Sequence, residues 1–143
     1  MIAGAALAAL VPHAGAMCLL DRVLRWDAAG IQCEALSHLL ADNPLRHGGR
    51  LHALCGIEYA MQAAALHGAL LDDGRRQPAG RIATMRGVVL HTDRLDQPGP
   101  LLITATLVHR EAGGLLYSFA VAAAAGPVLV EGRAAIALPK EDA

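Results

Sequence analysis

The sequence predicts an α+β fold in which an antiparallel sheet of about five to six strands wraps around one long central helix. Three observations predict it. First, Ala53 to Leu71 is apolar on nearly every side at helical spacing, which is typical of a helix enclosed by something larger than one neighbouring helix. Second, strand-like runs lie on both sides of this segment, two before it and four after it. Third, turn residues separate the runs, so that consecutive runs can pair antiparallel.

The two runs before the helix predict a β-hairpin. Leu19 to Asp27 and Ile31 to His38 partly alternate apolar and polar residues, and the turn signal Ala-Ala-Gly at 28–30 lies between them. The loop over 39–52 contains Asn-Pro and Gly-Gly, which are typical of turns, and leads into the helix. Upstream, Met1 to Val11 is apolar but lacks the basic residues of a signal peptide, so we expect a short packed helix or strand.

The acidic turn Asp-Asp-Gly at 72–74 is predicted to end the helix. Gly and Pro residues that favour turns separate the strand-like runs that follow it. These predicted strands are Arg81 to His91, Leu101 to Arg110, Leu115 to Ala123 and Val128 to Leu138. We expect a single domain over residues 1–143, since a globule of this length buries roughly 68% of the surface that its unfolded chain exposes.

Composition argues against several classes of protein. The formal net charge is -1 and the basic residues are scattered, so no patch for nucleic acid is indicated. Cys18, Cys33 and Cys55 lack the paired spacing of a zinc site and are typical of reduced thiols in a cytoplasmic protein. Polar residues divide the apolar helix, which argues against a membrane span. We therefore expect a cytoplasmic protein with neither nucleic acid nor a membrane as its partner.

Two polar side chains mark the apolar helix as a candidate site. Glu58 and Gln62 are four residues apart, so they share one face of the helix. A carboxylate among apolar neighbours is costly unless it is paired, hydrogen-bonded or protonated, because desolvation disfavours the charged form. Such surroundings are typical of general acids and bases, which makes Glu58 a catalytic candidate. The alternative is a structural carboxyl that Gln62, Tyr59 or a strand satisfies.

The sequence shows no other catalytic pattern. Its two serines, Ser37 and Ser118, lie in strand-like runs and not in the sharp turn of a hydrolase nucleophile. No Gly-rich motif links a strand to a helix, so neither a dinucleotide site nor a P-loop is indicated. The sequence therefore predicts chemistry that uses neither a cofactor nor a metal.

Two segments resemble a known enzyme family. The first runs from Val-Pro-His at 11–13 to Leu-Leu-Asp-Arg-Val at 19–23. The second contains Asn-Pro at 43–44, then His47, then Glu-x-x-x-Gln at 58–62. Both are similar to the bacterial β-hydroxyacyl carrier-protein dehydratases of fatty acid synthesis, and more closely to their small divergent relatives, the predicted dehydratases of aryl polyene clusters. With the strand pattern, the resemblance covers most of the chain and implies the hot-dog fold.

The resemblance implies a catalytic pair. In the family a histidine is the base and the acid on the helix protonates or orients the departing hydroxyl, which assigns these roles to His47 and Glu58. Here Gly-Gly-Arg follows His47, and the loop is shorter than in the family and lacks its prolines. His52, at the entrance of the helix, is the alternative base. We expect His13, near the start of the fold, to be a structural hydrogen-bonding residue.

Further residues are predicted to contact the substrate. Free backbone N–H groups at the helix N-terminus, near Ala53 and Leu54, would stabilise the enolate-like oxygen. We also place His52 and Gln62 among the substrate contacts, and we expect Gln62 to orient Glu58 or a loop carbonyl.

The resemblance also implies a substrate and an assembly. The substrate would be a 3-hydroxyacyl thioester, carried by acyl carrier protein or coenzyme A and dehydrated to the trans-2-enoyl thioester. Hot-dog subunits generally pair edge to edge, so we expect a homodimer, with a heterodimer with a homologous dehydratase as the alternative. Two other functions stay open: a hot-dog thioesterase in which Glu58 activates water or attacks the thioester, and a noncatalytic subunit that pairs with an active dehydratase.

Overall fold

The computed structural model describes residues 2–11, 15–75, 81–124 and 126–138. Within these residues the chain forms one seven-stranded sheet and two α-helices. The strands are β1 (Ile2–Ala3), β2 (Arg22–Trp26), β3 (Gly30–Ala35), β4 (Arg81–Leu90), β5 (Leu101–Glu111), β6 (Gly114–Ala123) and β7 (Val128–Ala137), and the helices are α1 (Gly4–Ala8) and α2 (Gly56–Leu71). His13 lies outside the described residues.

Neighbouring strands pair antiparallel in the order β1-β2-β3-β5-β6-β7-β4. The six strands predicted from the sequence are all present, and the two-residue β1 is a seventh. The segment expected to form a short helix or strand near the N-terminus therefore forms both, β1 and then α1. The sheet as described has two unequal edges, since β1 is short and β4 has ten residues.

The long helix α2 packs on one face of the sheet, against β3, β5 and β6. Residues of β3 alternate between half-buried and buried, so that Ile31, Cys33 and Ala35 point into the core. Ile103 of β5 pairs with Cys33 and with Val121 of β6, and all three are fully buried. Burial raises the pKa of the Cys33 thiol to about 12, so this cysteine acts as a small apolar side chain.

The turn between β2 and β3 follows from local chemistry. The Asp27 side chain accepts hydrogen bonds from the backbone N–H groups of Ala29 (2.8 Å) and Gly30 (3.0 Å), as turn-forming Asp residues do. A Cβ atom at Gly30 would lie 2.6 Å from the carbonyl oxygen of Ala105. Glycine is therefore needed here because β3 and β5 approach closely, which brings the hairpin into the sheet.

The second predicted strand ends earlier than expected. The sequence predicts that this strand extends to His38, but β3 ends at Ala35 and a 3-10 turn, Ser37–Leu39, follows. The reason is that the buried His38 side chain turns inward, where its Nε2–H donates to the backbone oxygens of Gln97 (3.0 Å) and Gly99 (2.9 Å). These two contacts satisfy Nε2 of the buried ring.

The predicted helix is confirmed, with a different first turn. Its first residues, Ala53–Cys55, form a 3-10 turn, and the α-helix begins at Gly56. Gly56 is buried, and a Cβ atom there would lie 3.1 Å from a methyl group of Val130 on β7. Over the described ranges, no helix combines the length and hydropathy needed to cross a bilayer.

Candidate active site

Glu58 and Gln62 lie in the N-terminal half of α2 and are tied to the segment that precedes β2. The Leu19 N–H donates to Gln62 Oε1 at 2.9 Å, which fixes the orientation of the amide. Gln62 Nε2 then donates to the Met17 carbonyl oxygen at 2.6 Å and to Glu58 Oε1 at 3.3 Å. Gln62 is only 1% exposed. Gln62 therefore contacts both the Glu58 carboxyl and a loop carbonyl, the two partners expected for it from the sequence.

Glu58 faces the side of α2 that the described chain leaves partly open. Half-buried residues recur along this side every three to four positions, at Ile57, Glu58, Met61, Ala65 and Gly68. The opposite side of the helix is buried in the core. The Glu58 residue is therefore neither sealed in the core nor surrounded by solvent.

His47 begins a two-residue turn in the loop before α2. Its backbone pairs with Arg50 through hydrogen bonds of 2.8 and 3.1 Å. Gly48 and Gly49 between them have φ values of 58° and 73°, the left-handed geometry that such a turn requires of both central residues. The His47 side chain is exposed. The proposed catalytic pair is thus held on two separate elements within one subunit.

Arg46 holds the loop before α2 through hydrogen bonds to backbone oxygens. Its guanidinium donates to three backbone oxygens, those of Leu40 (2.7 Å), His38 (2.8 Å) and Gly49 (3.2 Å). It also lies 3.3 Å from Asp96, a carboxylate that Arg94 holds with a second pair of hydrogen bonds. These bonds, chiefly from Arg94, hold the pKa of Asp96 well below its ordinary value. The ion pairs of Asp96 with Arg46 and Arg94 therefore stay charged at neutral pH, and they anchor the turn that carries His47.

Asn43 and Tyr59 join the start of the loop to the helix. Asn43 Nδ2 donates to the Ser37 carbonyl oxygen (2.9 Å) and to the Tyr59 hydroxyl (3.1 Å), and its Oδ1 accepts from the Leu45 N–H (2.9 Å). The Ser37 and Tyr59 hydroxyls are 2.7 Å apart. Burial raises the pKa of Tyr59, which keeps the phenol neutral. Because Tyr59 follows Glu58 directly, this network sets the loop against the helix turn that carries the carboxyl.

The expectation of free N–H donors at Ala53 and Leu54 is wrong. The Ala53 N–H donates to the Asp93 carbonyl oxygen at 2.9 Å, and the Leu54 N–H donates to His52 Nδ1 at 3.0 Å. Both donors thus have partners within the chain, which satisfies N–H groups that a helix start would otherwise leave unpaired. Any contact of these two residues with substrate therefore involves other atoms.

His52 caps the turn that opens α2. Its Nδ1 accepts the Leu54 N–H, so the neutral ring carries its proton on Nε2. The lone pair that a general base uses is therefore engaged in the cap, while the exposed Nε2–H can donate a hydrogen bond. This geometry suits His52 better to contacting substrate than to removing a proton.

The C-terminal half of α2 contains a polar residue of a different kind. His67 is fully buried, its Nε2–H donates to the Asp27 carbonyl oxygen at 2.7 Å, and its Nδ1 accepts from the Tyr117 hydroxyl at 2.7 Å. The two rings also meet edge to face, with centroids 5.7 Å apart. Burial raises the pKa of Tyr117 to about 12. Both ring nitrogens of His67 are thus used within the core.

A surface groove of about 340 Å³ lies at the β2–β3 hairpin and the adjoining part of β5. None of the predicted site residues lines it. Its lining is Arg25, Trp26, Asp27, Ala29, Gly30, Ile31, Gln32, Thr104 and Thr106. In the part of the chain that the structure describes, no three His, Cys, Asp or Glu residues are grouped as a metal site.

The sequence does not predict the role of three residues that support the site, Arg46, Asp96 and Tyr59. No local pattern pairs Arg46 with Asp96, because fifty positions separate them. The apolar pattern assigns Tyr59 only to the core. The Tyr59 hydroxyl could have indicated a hydrogen bond to the loop, because a buried phenol usually has a hydrogen-bond partner.

The chain matches one family model and is similar to several solved structures. A family model described as ApeP-like, ApeP dehydratase, matches residues 5–143. The dehydratase heterocomplex ApeI:P from Xenorhabdus doucetiae is similar with a TM-score of 0.80 and 20% identity, over 94% of this chain and 91% of that chain. Zebra fish thioesterase superfamily member 2 is similar with a TM-score of 0.67 and 16% identity, over 93% of both chains. No curated protein sequence matches the chain. These similarities confirm the hot-dog fold predicted from the sequence.

Proposed function

Since this chain belongs to the ApeP-like family of dehydratases, we propose that its substrate is a 3-hydroxyacyl thioester and its product the trans-2-enoyl thioester. The observation that carries the proposal is the carboxyl of Glu58, fixed by the buried Gln62 amide and facing the half-open apolar stripe of α2. A carboxyl so placed can meet the hydroxyl of an acyl chain that lies along the helix.

The reaction needs a base that removes a proton from C2 and an acid that protonates the hydroxyl on C3, C2 being the carbon next to the thioester carbonyl. The base, His47, takes a proton from C2, and the electron pair of that C–H bond forms the C2–C3 double bond. Glu58 in its acid form gives a proton to the C3 hydroxyl, so the C3–O bond breaks and water leaves. The step ends with an imidazolium and a carboxylate, and transfer of one proton between them restores the enzyme.

The exposed position of His47 bears on this assignment. In one subunit Arg46 holds the turn that contains Gly48 and Gly49, and the His47 side chain at the start of this turn is exposed. The proposal therefore includes an assembly in which the imidazole meets the carboxyl of a neighbouring subunit. The exposed β4 edge is the natural place for such pairing, with a second copy or with a homologous dehydratase. The similar ApeI:P protein is itself a heterocomplex.

The carrier of the acyl group is acyl carrier protein or coenzyme A. Either would deliver the thioester on a pantetheine arm, so a pantetheine thioester is a sufficient probe. We expect the purified chain to convert 3-hydroxyacyl pantetheine into a product with the ultraviolet absorbance of an enoyl thioester. Glu58→Gln should lower kcat by about a hundredfold to ten-thousandfold, which is the usual worth of a positioned acid or base.

Glu131→Gln is the matched control, because Glu131 is an exposed carboxylate whose partner is His91. It should leave the rate unchanged. Release of free thiol without enoyl product would instead identify a thioesterase. Inactivity of the isolated chain that ends on adding a homologous subunit would identify a partner-dependent or noncatalytic role. An undiminished rate for Glu58→Gln would overturn the proposed mechanism.

Replacing each candidate histidine separates the two bases. His47→Ala should abolish most of the dehydration rate, whereas His52→Ala should chiefly raise KM because its Nε2–H contacts substrate. The opposite pattern, with His52→Ala losing kcat and His47→Ala retaining it, would move the role of base to His52.

A further inference from the structure

The groove at the β2–β3 hairpin takes its polar side chains from the face of the sheet turned away from α2. Gln32 of β3 lies between two residues that point into the core, and Thr104 of β5 lies directly opposite Gln32 and likewise has buried neighbours. The volume of the groove, about 340 Å³, is at the lower end of the range of small-molecule sites. The groove is thus a second candidate site, separate from Glu58 and Gln62 on α2.

A β-bulge directs Arg25 to this face. Val23 pairs with Cys33 and Arg25 pairs with Gln32, so β2 advances by two residues while β3 advances by one. In a regular strand Arg25 would share the side of Val23, which is buried in the core. The bulge instead places Arg25 in one row with Gln32 and Thr104 across three strands. It thereby gives the groove the only basic residue among its lining residues.

The polar side chains of the groove have no partner within the described residues. Neither a hydrogen bond nor an ion pair engages the Arg25 guanidinium, the Gln32 amide or the hydroxyls of Thr104 and Thr106. Gln32 and Thr104 are half-buried, so water reaches them only in part. The other described side-chain amides all donate to defined acceptors: Asn43, Gln62 and Gln97. The donors of the groove therefore remain available to a ligand.

Trp26 and Gly30 give the groove an apolar wall and an open floor. Trp26 lines the groove and is 44% exposed, so its indole offers a flat apolar surface. Gly30 lies opposite Thr106 and has no side chain, which leaves room beside the Thr106 hydroxyl. An aromatic ring that enters this space can stack on the indole.

We propose that this groove binds a small carboxylic acid that carries an aromatic ring. The Arg25 guanidinium would donate two parallel hydrogen bonds to the carboxylate, and Gln32 and Thr104 would donate to its remaining lone pairs. The ring would lie against Trp26. Asp27 also lines the groove, but its Oδ1 already accepts the two N–H groups of the hairpin turn, so Arg25 decides the charge of the ligand.

The fluorescence of Trp26 reports binding directly, because this is the only tryptophan of the chain. With 3-phenylpropionate as the probe, the emission should shift to shorter wavelength and saturate with a dissociation constant of about 0.1–1 mM. Two control compounds separate the parts of the probe. 3-Phenylpropionamide keeps the ring without the charge, and propionate keeps the charge without the ring. Each should bind at least about tenfold more weakly.

Variants of the lining residues test the assigned contacts. Arg25→Gln should weaken binding of 3-phenylpropionate by at least about tenfold, and Thr104→Val by about threefold. Asp27→Asn keeps the oxygen that the turn needs and removes a negative charge, so it should tighten binding by about twofold to threefold. Arg86→Gln is the matched control, because Arg86 is an exposed arginine on β4, at the other end of the sheet. It should leave binding unchanged.

Three results would overturn the inference. The first is equal affinity of the wild type for the acid and the amide. The second is wild-type affinity in Arg25→Gln, provided that its circular dichroism matches the wild type. The third is the absence of a saturable change in the wild type up to about ten times the expected dissociation constant. The first and third use the wild type alone, so misfolding cannot hide the answer. None of these measurements uses a thioester, so the inference and the proposed dehydration can fail independently.

Discussion

The two halves of α2 each place a polar side chain in an apolar helix, and they treat it differently. In the N-terminal half, Glu58 is half-buried on the open stripe, and Gln62 holds one of its oxygens. In the C-terminal half, His67 is fully buried, and Tyr117 and Asp27 occupy both of its ring nitrogens. The first arrangement leaves a carboxyl on the partly open side of the helix, and the second uses the whole hydrogen-bonding capacity of the ring inside the core.

The difference teaches that a polar residue in a buried helix is not by itself a sign of chemistry. Both positions interrupt an apolar pattern, and both have firm partners. What separates them is access, because a side chain that substrate cannot reach contributes only to stability. Replacing residues in the C-terminal half should therefore change stability alone, whereas replacements around Glu58 should change the rate.

Replacing His67 gives the largest expected change in stability. His67→Leu removes the partner of the Tyr117 hydroxyl and of the Asp27 carbonyl oxygen, and burying such groups unpaired costs about 1–3 kcal/mol each. We expect urea unfolding to show a loss of about 3 kcal/mol, with turnover per folded molecule unchanged. His109→Leu, at an exposed position on β5, should change stability by less than about 0.5 kcal/mol. A loss of activity with unchanged stability would place His67 in the site.

Replacing Gln62 should affect both quantities. Gln62→Met keeps the shape of the side chain but removes its bonds to Leu19, Met17 and Glu58, so stability should fall by about 2 kcal/mol. Because the amide orients the carboxyl, kcat should also fall by roughly tenfold while KM changes little. Steady-state kinetics at a temperature where the variant is folded measures this split. An unchanged kcat would make Gln62 purely structural and weaken the contrast between the two halves.

Removing the Tyr117 hydroxyl tests the closed half more finely. Tyr117→Phe leaves His67 Nδ1 without its donor and should cost about 1 kcal/mol in urea unfolding. Combined with His67→Leu, its effect should be smaller than in the wild type, because each variant removes the same bond. Fully additive free energies in this double-mutant cycle would show that the 2.7 Å contact contributes nothing to stability.

His38, the other buried histidine of the described residues, should show the smallest effect, as a change of stability with pH. Burial lowers its pKa below the ordinary 6.5, so the folded state keeps the ring neutral where the unfolded state takes up a proton. Its contribution is therefore complete above about pH 6.5 and is lost as the pH falls below that value. His38→Gln should flatten the slope of unfolding free energy against pH just below 6.5. An unchanged slope would assign the pH dependence to other groups.

A further loss of stability is expected at lower pH from Asp96. Its folded pKa is depressed, so its contribution is present above its ordinary value of 3.8 and decreases as the pH falls below it. Asp96→Asn should remove this acid-side loss; because the Asp96 carboxylate raises the pKa of His38, the variant should lower that pKa further and keep the slope just below pH 6.5. Comparing the stability of the wild type and the variant over the same pH range thus separates the two groups.

The sequence by itself determined the strands, the enclosed helix and the shared face of Glu58 and Gln62. Periodicity of two or of three to four residues is a local property, and it decides both the backbone conformation and which side chains are buried. The resemblance to carrier-protein dehydratases likewise came from short motifs at 11–23 and 43–62, and the match to the ApeP-like family over residues 5–143 bears out the dehydratase class. The roles of His47 and Glu58 stay predictions.

Only the tertiary structure decided which groups meet across long separations. Gln62 forms hydrogen bonds with an N–H and a carbonyl group more than forty positions earlier in the chain. The Arg46 guanidinium donates to Asp96, and the Ala53 N–H donates to the carbonyl oxygen of Asp93. The inward turn of His38 shortened a strand that local alternation extended. The physical reason is that most buried donors and acceptors pair, and which partner is near depends on how the sheet packs on the helix.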